Sequence, residues 1–138
     1  MSKEYESDLQ YIGYIVKEIN FESNENFDIN TKSIPLSFDI TKNTIFNKNE
    51  MKVELTVDIF KDCKSNDFPF SMKLIVMGIF LTKNNLPIEN YEPNAIAILY
   101  PYIRSIVSVY TSAVNVPQLN LPLININRYL ENSNNKKS

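Results

Sequence analysis

Few residues in this chain could carry covalent chemistry. Its 138 residues include no histidine, one cysteine, Cys63, and two glycines, Gly13 and Gly78. Without histidine, the commonest general base and the commonest metal ligand are both absent. A zinc centre needs several Cys or His ligands, and Cys63 stands alone. Two isolated glycines cannot build a phosphate-cradling loop, and no serine sits in a Gly-x-Ser-x-Gly turn. Lys61 and Lys64 are the basic residues closest to Cys63, which therefore reads as structural. The residue types argue against an enzyme, a metal centre and a bound cofactor.

What remains are charges and apolar stretches in unusual settings. Glu18 and Glu22 lie four apart in a strand-like stretch, so they share one face, ordinarily a solvated one. Arg104 is the single charge between Asn94 and Val114 and must find a carbonyl or a carboxylate. "NVPQLNLPLININ", Asn115 to Asn127, is uncharged, rich in Leu and Ile, and broken by Pro117 and Pro122. It is too interrupted for a helix and too apolar for a solvated loop.

The elements that must position these residues follow from periodicity. The length suits one domain, residues 1–138, with polar ends at 1–8 and 132–138 expected to be disordered. "YIGYIVKEINFE" reads as a first strand and "IPLSFDIT" as a second, with Ile34, Leu36, Phe38 and Ile40 inward. "MKVELTVDIF" turns Met51, Val53, Leu55, Val57 and Ile59 inward. "FPFSMKLIVMGIFLT" starts with a wet face and loses it from Leu74, so something covers that part. Asn94 to Val114 has helical spacing, with Asn94 as a cap and Pro101 as a kink or break. A short helix follows from Arg128 to Asn132, capped by Asn125 or Asn127. Four strands and then two helices make an α+β fold, an antiparallel sheet with helices on one face.

The long helix is apolar nearly all round. Arg104 near its middle would cost about 2.5–3.5 kcal/mol in a bilayer, so a membrane span is rejected. Its second face, with Tyr102, Arg104 and Val109, is expected to meet another subunit. A net charge of −2 without a basic run argues against nucleic acid. One cysteine fits a reducing compartment, and Met1–Asp8 lacks the pattern of an export signal, so a cytoplasmic location is expected.

Four stretches, in order, resemble the SecB family of export chaperones. "LYPYIRSIVS" is similar to the family's Phe-Pro-Tyr-Ala-Arg helix, and "VPQLNLPLIN" to its Phe-Pro-x-x-x-Leu-x-Pro-Val-Asn-Phe segment. "KEINFES" resembles the end of its first strand and "MGIF" its Gly-Gly-x-Phe. The resemblance runs from about Leu9 to Leu130 and implies sheet order 1-4-3-2. It also implies pairing of subunits through the first strands and a tetramer, a dimer of dimers, with the long helices between dimers. The implied function is holding unfolded precursors without ATP until the motor SecA collects them. The sequence departs from the pattern at Val114, where the family has Gly, at Ile126, where it has Phe, and in the placing of Pro122.

A holding chaperone needs exposed apolar surface that does not self-associate. Pro117 and Pro122 keep the segment from pairing as a strand, leaving Leu119, Leu121, Leu123, Ile124 and Ile126 to line a client groove. Tyr129 would close its rim, with Met77 and Phe80 as a floor. Leu119 and Leu121 read equally well as core. The resemblance makes Glu18 and Glu22 contacts for SecA, but its third acidic position falls on Lys73. That reversal also suits a relative dedicated to one partner, such as an antitoxin or a single secreted protein, without SecA.

Overall fold

The computed structural model describes residues 8–28, 34–83, 87–114 and 119–137. Four strands form one antiparallel sheet: β1 (Leu9–Ser23), β2 (Phe38–Asn47), β3 (Glu50–Ile59) and β4 (Phe70–Thr82). Their order is β1-β4-β3-β2, as the resemblance implied. A one-turn helix, α1 (Cys63–Asn66), joins β3 to β4. A 3₁₀ turn at Ile88–Tyr91 leads into α2 (Glu92–Ala113), and α3 (Ile126–Lys137) ends the chain.

Strict alternation explains the inner strands. Met51, Val53, Leu55, Val57 and Ile59 are all fully buried, and the even-numbered positions of β4 from Phe70 to Thr82 are buried throughout. The odd positions Ile75, Met77, Ile79 and Leu81 are half-buried. Several element ends differ from the sequence reading. β2 begins at Phe38 rather than Ile34 and runs on to Asn47, closing a two-residue turn onto β3 with Lys48 at φ 54. Asn94 does not cap α2; the helix enters from the 3₁₀ turn with Pro93 in its first positions, where a missing N–H is harmless. The helix continues through Pro101 without a break. α3 keeps helical backbone as far as Lys137, where a disordered tail was expected.

The contacts gather into two compact units. One holds the described residues within 1–14, 44–53 and 78–138, and the other residues 15–43 and 54–77. In the first, α2 packs on the sheet with Ile96, Leu99, Ile103 and Val107 fully buried. Gly78 permits a close approach: a Cβ there would lie 2.9 Å from Phe80 Cε1 and 3.0 Å from Leu99 Cδ1. Tyr11 and Tyr14, three apart, both reach the ring of Tyr102, at 5.5 and 5.2 Å. This departure from regular alternation lies beside Gly13, whose φ of 157 is rare for L-residues.

The second unit is built on aromatics and one buried amide. Phe70 stacks on Phe21 and meets Phe60 edge-on, and Phe60 also packs on Phe68. The Asn24 side chain donates to the carbonyls of Cys63 and Phe68, at 3.2 and 3.0 Å, and pins the loop around α1. Phe60, Asp62 and Asp67 all take left-handed backbone there, with φ of 51, 54 and 56. That strain is held by the Ser71 hydroxyl, which donates to Phe60 O and accepts from Cys63 N–H.

Gly78→Val is expected to destabilise the fold by about 1–3 kcal/mol in urea unfolding, by overpacking against Phe80 and Leu99. Leu99→Ala in the Gly78→Val background should recover part of that loss. Simple addition of the two losses would mean that Leu99 does not set the limit.

Candidate functional site

The segment before α3 has no strand to pair with, so its backbone polar groups need partners from elsewhere. α2 supplies them. Tyr100, Arg104 and Thr111 are four and seven residues apart and fall on one stripe of the helix. Tyr100 Oη donates to Pro122 O at 2.9 Å, and Arg104 Nε donates to Leu121 O at 2.9 Å. Thr111 Oγ1 donates back to Val107 O and accepts the Leu119 N–H at 3.0 Å. A further tie runs from Asn127 Nδ2 to Pro93 O, 2.8 Å. Asn125 caps α3 as the sequence suggested, its Oδ1 accepting the Arg128 N–H at 3.1 Å.

This strap determines which apolar side chains face out. Leu121 and Ile126 are buried, at 1% and 4% exposure, while Leu123 stands 85% exposed. Leu119, Ile124 and Tyr129 are half-buried. Beside the strap lies an open cleft of about 460 Å³, walled by Ala97, Tyr100, Pro101 and Arg104 of α2 and by Leu123–Asn127. The expected groove is therefore corrected in several places. Leu121 belongs to the core. Ile126 reaches the cleft but is itself almost fully buried. Phe80 is fully buried beneath Tyr11. Met77, an odd number of residues from Phe80, lies on the opposite face of β4, so the two cannot form one floor. Pro117 lies outside the described residues. The sequence reading missed Ala97 and Pro101, although their helical spacing with Arg104 could have placed them on one side.

Tyr100 ionises above its ordinary value of 10.0. Burial is the main cause, and Tyr129 adds to it, while the Arg104 guanidinium pulls the other way. Tyr100 thus stays protonated and able to donate.

The residues suggested for a partner surface lie on the sheet. Glu18 is exposed. Glu22 lines a shallow cleft of about 290 Å³ together with Asp58, Ser71 and Lys73, so the reversed charge opens onto the same cleft as two acids. Glu22 also lies 3.9 Å from Lys64 Nζ and 3.7 Å from Cys63 Sγ. Cys63 is buried, as a structural cysteine should be. Away from the strap, Val109 is 66% exposed and Tyr102 keeps 40% exposure despite its ring contacts with Tyr11 and Tyr14, whereas Arg104 Nε is turned to the strap. Among the described residues no group of His, Cys, Asp or Glu is placed to hold a metal, and no helix is long and apolar enough to cross a membrane.

Comparison with known proteins follows the same lines. The family model of SecB, preprotein translocase subunit SecB, matches residues 2–137. The uncharacterized protein MJ0357 of Methanocaldococcus jannaschii is 32% identical over 124 residues, 86% of this chain and 79% of that one. Among solved structures, the Mycobacterium tuberculosis SecB-like chaperone Rv1957, in complex with a ChAD peptide from the Rv1956 HigA1 antitoxin, superposes with a TM-score of 0.65. It shares 13% identity, over 85% of this chain and 91% of that one, a likeness that shows a common fold.

Two outcomes test the strap. Thr111→Val should speed hydrogen exchange at the Leu119 amide, while Tyr100→Phe leaves that amide unchanged; each substitution should destabilise by about 0.5–1.5 kcal/mol. Because the folded value of Tyr100 is raised, its contribution is complete below pH 10.0 and declines as pH rises through the folded value. Denaturation between neutral pH and pH 11 should show a loss above about pH 10 that is smaller in Tyr100→Phe. An equal loss in the variant would remove Tyr100 as its source.

Proposed function

The chain belongs to the SecB family, a family of non-enzymatic chaperones, and from that premise we propose that it holds unfolded polypeptides without nucleotide. One observation carries the reading: Leu123 stands 85% exposed beside a cleft with apolar walls, fixed by a strap rather than by a strand ladder. Apolar surface in this form binds many sequences yet offers no free edge for self-pairing. Leu123 and Ile124 are the principal client contacts, with Leu119 and Tyr129 at the margins. The antitoxin peptide bound to the Mycobacterium tuberculosis protein supports polypeptide segments as the ligand class.

The same reading covers assembly. Ile12, Tyr14, Ile15, Val16 and Ile19 on β1 and Ile98, Tyr102 and Val109 on α2 are all more than a third exposed in the single chain. Burying them is the usual means of stabilising an oligomer, and a tetramer that pairs β1 strands and then α2 faces would use both sets. Glu18 and Glu22 are the contacts for an export motor such as SecA, in the cytoplasm. A second reading, a chaperone serving one partner without that motor, is favoured by Lys73 in the cleft that Glu22 lines.

Calorimetry with one secretory-type protein, folded and then held unfolded, and with two unrelated unfolded proteins separates these readings. A general chaperone binds every unfolded chain and no folded one, and Leu123→Asp weakens all of them about tenfold. Binding of none would defeat the general reading and leave the single-partner one. In light scattering, Val109→Asp should reduce the assembly to a smaller species; unchanged mass would remove the α2 outer face as an interface.

A further inference from the structure

The loop between β3 and β4 is anchored by polar groups more than by apolar packing. Of residues 61–67 only Cys63 is buried, and the rest are exposed. The loop satisfies much of its backbone internally. Asn66 N–H donates to Asp62 O, Phe68 N–H to Cys63 O, and Asn66 Nδ2 to Lys61 O. Two side chains from outside tie it down. Asn24, itself buried, donates through Nδ2 to Cys63 O and Phe68 O. Ser71 Oγ accepts the Cys63 N–H at 2.9 Å and donates to Phe60 O at 2.6 Å.

The backbone at both ends of this loop is in a costly state. Asp62 and Asp67 flank α1 in left-handed conformation, and the bulky Phe60 just before them has φ 51. Aspartate tolerates that region, whereas an aromatic side chain is a true outlier there. The closed loop therefore stores strain, which the two anchors offset. A self-contained turn with one small buried side chain and strained ends opens at lower cost than the sheet around it.

The closed loop also occupies Glu22. Cys63 Sγ lies 3.7 Å from Glu22 Oε1, and Lys64 Nζ lies 3.9 Å from Glu22 Oε2. Lys61, Asp62 and the anchor Ser71 line the same shallow cleft as Glu22.

We propose that residues 61–68 are a gate on the Glu22 cleft, latched by Asn24 and Ser71, that opens as one body while the sheet stays folded. Opening frees the Glu22 carboxylate and takes Lys61 and Asp62 out of the cleft wall. It also parts the Phe68 ring from Phe60, its neighbour at 4.9 Å in the closed loop. The gate stands apart from the chaperone reading; its control over a partner at Glu22 rests on that reading. Cys63 is assigned no chemistry of its own and, as the chain's one cysteine, reports the opening.

The test labels the Cys63 thiol of the whole protein with a chromogenic disulfide at fixed pH and follows exchange of the Cys63 amide. Wild-type labelling should be nearly insensitive to urea below the unfolding transition, since local opening exposes little surface. Asn24→Ala should speed labelling about tenfold and Ser71→Ala about fivefold, and the Cys63 amide should follow the same order. Thr111→Val, which weakens the strap in the other unit, should leave labelling unchanged. Labelling that rises with urea as steeply as unfolding does would mean exposure by global unfolding and would overturn the gate, whether or not Asn24→Ala folds. Equal acceleration by Thr111→Val and Asn24→Ala would overturn it too. With SecA as the probe, Asn24→Ala should bind about tenfold more tightly than wild type, in proportion to its open population. Equal affinity alongside faster labelling would overturn the control of Glu22 and leave the gate. Binding of SecA to neither protein would count against Glu22 as its contact.

Discussion

The structure turns on one constraint: an extended apolar segment must satisfy its backbone without a strand to pair with. Residues 119–122 solve this by borrowing side chains from α2. Tyr100 and Arg104 donate to the carbonyls of Pro122 and Leu121, and Thr111 accepts the Leu119 N–H. Buried backbone groups left unpaired would be expensive, so these three side chains decide the path of the segment. That path in turn places Leu121 in the core and leaves Leu123 in solvent. The cleft exists because the strap holds the segment beside the helix without closing over it.

The same constraint accounts for the composition of α2. A helix serving only a sheet needs one dry stripe. This one serves three surfaces. Ile96, Leu99, Ile103 and Val107 enter the core, Tyr100, Arg104 and Thr111 hold the strap, and Ile98, Tyr102 and Val109 remain exposed. Arg104 is tolerated among so many apolar neighbours because a backbone carbonyl awaits its Nε. Pro101 is tolerated because it sits on the exposed side, where it removes one helical hydrogen bond and leaves the helix unbroken.

Much of this was legible in the residues. Alternation in "MKVELTVDIF" identified five inward positions, all of which are buried. The helical spacing of Ile96, Leu99, Ile103 and Val107, and Asn125 as the cap of α3, were readable from local rules, because each depends on residues within a turn or two. The misses share a cause. Asn94 looked like a cap because the 3₁₀ turn that precedes it leaves no local signature in "PIENYEP". Met77 and Phe80 were grouped by chemistry when their odd separation put them on opposite faces. The left-handed residues Phe60, Asp62 and Asp67 carry no glycine to announce them, being held by Asn24 and Ser71 from elsewhere in the chain.

The sequence by itself determined the four strands, the two main helices and the order in which they occur, since periodicity and breakers act over a few residues. It also determined that conventional catalytic and metal chemistry lacks its usual residues, since those are a matter of composition. Only the tertiary structure decided which of Leu119, Leu121, Leu123, Ile124 and Ile126 are core and which are surface. In a strand or helix the backbone repeat assigns each side chain a direction. In an extended segment without a ladder, direction comes from hydrogen bonds to side chains 8 to 22 residues away, and no local pattern encodes them.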